Sequence, residues 1–212
     1  MNAFRASVSV CVLGVGLLGS TKSVTAALAI TDLYPQDASY YPNPGSNHGW
    51  VFTANAPIKV THLGLYDHDG DGFGISHPIG LWQSDGTLLA SSVISAGASN
   101  PLLDGFRYVA IPDVALNAGQ DYVIAFYSAT ANNDYDITKT LSFRVDPAIS
   151  YHGSRWGQEG SFQMPSNPAS DPLPDRFGPN FQFVPDPTTL SLLALAGAGL
   201  LTRRRRARDR VR

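Results

Sequence analysis

The chain has 212 residues, a single cysteine and a formal net charge of −2, which allows one sizeable core but not two once the ends are set aside. Between Ile30 and Val184 six basic residues face fourteen Asp and one Glu, a net charge near −9, whereas Pro185 to Arg212 carries seven Arg against Asp186 and Asp209, near +5. A body this acidic repels phosphate backbones and argues against nucleic-acid partners, and with Cys11 confined to the N-terminal apolar run it has no disulfide, thiolate nucleophile or zinc–thiolate site.

At the N-terminus Arg5 precedes an apolar run from Val8 to Leu18, and Ala27-Leu28-Ala29 offers the small-x-small pattern of a signal-peptidase site. Residues 1–29 therefore read as a secretory signal cleaved after Ala29. The eleven residues of the run cover only about half of a ~30 Å hydrocarbon core, too few for an uncleaved anchor.

From Trp50 onward apolar residues recur with period two and no helical period develops, which predicts strands. They cover Trp50 to Thr53, Ile58 to Tyr66, Ile79 to Gln83, Leu88 to Ile94, Phe106 to Ile111, Tyr122 to Tyr127, Leu141 to Val145 and Phe181 to Val184. Asp85-Gly86 between two apolar runs is a strong hairpin signal, and Asn117 to Gln120 marks another turn. Short strands at this spacing predict an all-β domain over residues 30–184, an antiparallel β-sandwich of jelly-roll type. The segments Ala129 to Asp136 and Met164 to Asn180 are too long for tight turns. Long loops are where binding is usually sited, although the Pro-rich second segment reads better as solvated linker.

Asp67-His68-Asp69-Gly70-Asp71-Gly72 sets carboxylates at alternate positions before a glycine, as in the first half of a calcium loop. Pro78 stands where the closing bidentate Glu belongs, so any calcium held by Asp67, Asp69 and Asp71 takes further ligands from elsewhere; a solvated turn is the competing reading. His48, His62, His68 and His77 lack the spacing of a transition-metal site. There is no Gly-x-Ser-x-Gly elbow, and no carboxylate pair stands out for hydrolysis. Trp50 and Trp82 fall in core-like alternation, whereas Trp156, between Gly153 and Gly160, is the surface candidate for stacking on a sugar.

The chain ends in Pro185-Asp186-Pro187, the apolar run Leu190 to Leu201, and Arg203-Arg204-Arg205-Arg206. The prolines keep the approach extended, the run suits a short membrane helix, and the arginines act as a cytoplasmic stop. This tail, residues 185–212, resembles the PEP-CTERM sorting signal of Gram-negative bacteria that make extracellular polysaccharide, with Asp186 in place of the usual Glu. The resemblance implies processing by a membrane-embedded exosortase and a body released or transferred to the cell surface. The blocks Gly49-Trp50-x-Phe52, Leu63-Gly64-x-Tyr66-Asp67, His77 to Trp82, Gly86 to Ser91 and Gly105 to Tyr108 also resemble an uncharacterised β-domain common in proteins with such tails.

The expected protein is thus exported, non-catalytic, and held at the membrane only by its C-terminal helix. Its expected ligand is a glycan or exopolysaccharide, with calcium stiffening one loop. A secreted polysaccharide hydrolase and a purely structural matrix protein are the alternatives.

Overall fold

A computed structural model describes residues 25–39, 44–130, 137–168 and 176–186. Most of the expected signal peptide, the residues after Asp186, including Pro187 and the Arg203 to Arg206 stop, and the loop 131–136 lie outside the described residues. Among the described residues there is no helix. The strands in chain order are β1 Ala27–Leu28, β2 Ile30–Ser39, β3 Ser46–Ala54, β4 Ile58–Tyr66, β5 His77–Gln83, β6 Leu88–Ile94, β7 Leu102–Leu103, β8 Phe106–Leu116, β9 Asp121–Ser128, β10 Ile137–Val145, β11 Ile149–Gly157, β12 Asn167–Pro168, β13 Arg176–Phe177 and β14 Pro179–Pro185.

All pairings are antiparallel, in sheets ordered β1-β14-β4-β8-β7, β13-β10-β2 and β12-β11-β3-β9-β5-β6. They curl as a half-barrel round one principal core. Trp50 of β3 is where the three sheets meet. Its ring stacks on Phe181 of β14 at 5.8 Å, lies 6.3 Å from Phe177 of β13 and 5.8 Å from Tyr151 of β11, and its indole N–H donates to the Pro179 carbonyl at 2.7 Å. Tryptophan suits such a junction because its large apolar ring carries one polar atom that a buried carbonyl can satisfy.

The period-two alternation locates the inner faces. Tyr122, Ile124 and Phe126 of β9 face the main core, while Val123 and Ala125 join Trp82 in a second cluster on the opposite face. Phe162 and Met164 cover that second cluster, so the segment expected as solvated linker from Met164 onward is instead anchored at its start. Its far end is anchored too, since Phe177 and Asn180 are fully buried and Phe177 sits in β13.

Proline positions follow the hydrogen-bonding rules of sheets. Pro35 lies in β2, an edge strand. In β8, Val60↔Val114 is followed by His62↔Ala110, so Ile111, Pro112 and Asp113 face one residue of β4. That bulge absorbs the missing N–H of Pro112 and lets the strand run on past Ile111, where the sequence pattern stops.

Candidate functional site

The acidic loop begins where β4 leaves the sheet. Asp67 N–H donates to the Gly105 carbonyl at 2.9 Å, and Gly72 N–H donates back to Asp67 Oδ2 at 3.1 Å. Gly72 has φ +102°, and a Cβ there would lie 2.5 Å from the Gly97 carbonyl carbon, so only glycine closes this turn. Phe73 and Gly97 then form a single bridge that pins the end of the loop.

The centre of this loop is Arg107, a residue the sequence reading passed over. Its Nε donates to Asp67 Oδ2 at 2.5 Å, Nη1 to the carbonyls of Ala98 at 3.0 Å and Asn100 at 2.9 Å, and Nη2 to the Gly70 carbonyl at 2.6 Å. Arg107 and Asp67 are only 4% and 3% exposed, so this ion pair is buried and charge-assisted. A carboxylate with three converging carbonyls is the ligand set of a hard cation, and here a guanidinium fills the same electrostatic role. Asp69 and Asp71 remain exposed, and one carboxylate oxygen from each of Asp67, Asp69 and Asp71 lies within 4.8 Å of the others. Beside them burial first, then the charges of Asp67 and Asp69, push the Tyr66 phenol above its ordinary pKa; its hydroxyl pairs with His68 Nδ1 at 3.0 Å.

The histidines are dispersed. His48 pairs with the Ser46 hydroxyl at 2.9 Å, His62 with that of Thr61 at 3.0 Å, and the fully buried His77 packs edge-on against Phe73 and Phe126. Among the described residues the three aspartates form the only carboxylate, imidazole or thiol cluster with metal-ligand proximity.

Two polar clefts meet at Asp121. One, of about 390 Å³, lies between the β5–β6 and β8–β9 turns, where Gln83, Asp85, Asn117 and Gln120 converge. The hairpin expected at Asp85-Gly86 builds one wall, with Thr87 N–H donating to Asp85 Oδ1 at 2.9 Å and Gly86 at φ +94°. These hydrogen bonds hold the Asp85 carboxyl below its ordinary pKa. The second cleft, of about 420 Å³, runs over the outer side of β3 and β11 past Thr53, His152 and Arg155. Thr53 Oγ1 donates to Asp121 Oδ1 at 2.5 Å and pairs with His152 Nε2 at 2.5 Å.

Trp156 on β11 is 38% exposed, opposite His48 on one side and Asn167 on the other, and it lines neither cleft. Trp50 and Trp82 are buried, at 0% and 4%. Of the tail motif, Pro185 pairs with Ile58 at the end of β14, while Asp186 N–H donates to the Pro57 carbonyl at 3.0 Å and its carboxylate lies 3.9 Å from Lys59 Nζ. No helix among the described residues is long and apolar enough to cross a membrane.

Curled antiparallel sheets, an acidic loop closed on an internal arginine and a polar double cleft define an all-β domain that presents its polar groups from turns. The model of a domain of unknown function (DUF4082) matches residues 33–169, and the chain belongs to that family. This agrees with the uncharacterised β-domain suggested by the blocks between Gly49 and Tyr108. No significant match to a curated protein was found.

Proposed function

We propose that the chain is an exported, non-catalytic surface or matrix protein, a jelly-roll-like sandwich whose double cleft at Asp121 binds exopolysaccharide. The tail resembling a PEP-CTERM signal supports delivery to the surface through an exosortase. The observation that carries the binding assignment is the cleft itself: amide, carboxylate, hydroxyl and imidazole groups converge there from turns and adjacent strands, the complement of a chain of sugar hydroxyls. Isothermal titration of the protein with the polysaccharide of its own host should give saturable binding. Asp121→Ala should weaken it at least about tenfold, since a polar site that loses one charged partner leaves others unpaired. Trp156→Ala should leave it within about twofold if stacking is confined to the cleft, whereas a larger loss moves the sugar to Trp156. Binding unaffected by Asp121→Ala removes the cleft from the reading; no binding at all favours a structural matrix protein, and release of oligosaccharides favours the hydrolase.

The reading includes one calcium ion at Asp67, Asp69 and Asp71, because Arg107 serves the innermost carboxylate and three carboxylates stand against that one guanidinium. A native-state ligand at ten to a hundred times its Kd adds about 1.4 to 2.7 kcal/mol, or roughly 3–10 °C in Tm for a domain of this size. Sites of this kind bind at about 10⁻⁴ to 10⁻³ M, so calorimetric scans in roughly 10 mM calcium should show that rise, smaller with magnesium. Asp69→Asn with Asp71→Asn should abolish it. Identical scans with and without calcium mean that Arg107 alone organises the loop.

A further inference from the structure

Residues 27–30 belong to the fold itself. Ala27 and Leu28 pair with Phe183 and Gln182 of β14. Ala29 N–H donates to the Phe181 carbonyl at 3.0 Å, and the Ala29 carbonyl accepts from Asp146 N–H at 3.1 Å. Ala29 and Ile30 have no exposed surface. Asn180 clamps the next residue from both sides, its Oδ1 accepting from Ile30 N–H at 3.1 Å and its Nδ2 donating to the Ile30 carbonyl at 2.9 Å. Thr25 and Ala26, by contrast, are exposed.

This packing bears on where a leader can be cut. Hydrolysis after Ala29 would delete β1, take the partners from the Phe181 carbonyl and the Asp146 N–H, and turn the Ile30 nitrogen into a charged ammonium inside the core. A buried charge without a counter-charge is strongly disfavoured. Three residues upstream, Val24-Thr25-Ala26 again presents short side chains at the two positions a signal peptidase reads. Ala26 also lies eight residues beyond Leu18, where the apolar run ends, against eleven for Ala29.

We infer that the leader is removed after Ala26 and that the mature chain begins at Ala27, an assignment that rests on the export reading above. Water adds across the Ala26–Ala27 peptide bond, leaving the Ala26 carboxylate on the leader and a new ammonium on Ala27 at the open end of β1. The fold then keeps every contact of residues 27–30.

The test expresses the full chain in an exporting Gram-negative host and determines the N-terminus of the exported protein by sequencing and intact mass. Wild type should begin Ala27-Leu28-Ala29-Ile30. Ala26→Leu, which places a bulky residue at the scissile position, should lose that species. Ala27→Gln, which spoils the pattern for a cut after Ala27 or Ala29 but not after Ala26, should be processed between residues 26 and 27 as before. An N-terminus at Leu28 or Ile30, or loss of processing in Ala27→Gln, overturns the assignment while leaving export intact. A chain still starting at Met1 in all fractions overturns the export reading and this inference with it.

Discussion

Replacing Arg107 with alanine should lower the stability of the domain by about 3–5 kcal/mol, the usual cost of leaving one member of a buried ion pair behind. For a domain of this size that corresponds to a fall in Tm of roughly 10 °C or more. Both partners are almost fully buried, and Arg107 also serves the carbonyls of Gly70, Ala98 and Asn100. The truncation therefore strands a carboxylate and three backbone acceptors in one place, each unsatisfied group adding to the loss. Arg107→Met combined with Asp67→Asn should recover part of it, because no unpaired charge then remains, and the residual deficit reports the three carbonyls. Thermal and urea unfolding of wild type and the two variants measure this directly. A loss below about 1 kcal/mol for Arg107→Ala would mean that the loop reorganises without its guanidinium.

Trp50→Ala should be of comparable size, about 3–5 kcal/mol for a large aromatic removed from a close-packed core. The ring joins β3 to strands of both other sheets, so the cavity opens at the junction rather than within one sheet. Trp50→Phe separates the two parts of the side chain's role. It keeps an aromatic ring but leaves the Pro179 carbonyl without the indole N–H, and it should cost less, about 1–3 kcal/mol. Equilibrium unfolding followed by near-ultraviolet circular dichroism would show the difference, and equal losses for the two variants would place the whole effect in the hydrogen bond.

These two positions also mark how far the sequence reaches. Trp50 was legible: it opens an alternating run, and a large aromatic in such alternation belongs inside. Arg107 was not, because an arginine between Phe106 and Tyr108 reads as the solvent-facing member of an alternating strand. Only the approach of the loops 67–72 and 97–100 from two other parts of the chain surrounds it with acceptors. The same division holds for the clefts. The turns at Asp85-Gly86 and Asn117 to Gln120 are written locally, but their meeting at Asp121, with His152 brought in from β11, comes from the order of strands in the sheet.

The sequence by itself determined the all-β class and the bounds of two strands, since β4 and β6 run from Ile58 to Tyr66 and from Leu88 to Ile94 as read. Side-chain period is a local property, fixed by the pleat of a single strand. The tertiary structure alone decided β2, β11 and β13, which carry proline, aspartate, glycine or arginine and have weak intrinsic strand preference. β11 is held because β3 and β12 supply backbone partners on both sides, and β1 because β14 offers its edge. Hydrogen bonding between strands distant in sequence satisfies backbone groups whatever the local pattern, and no window of neighbouring residues contains that information.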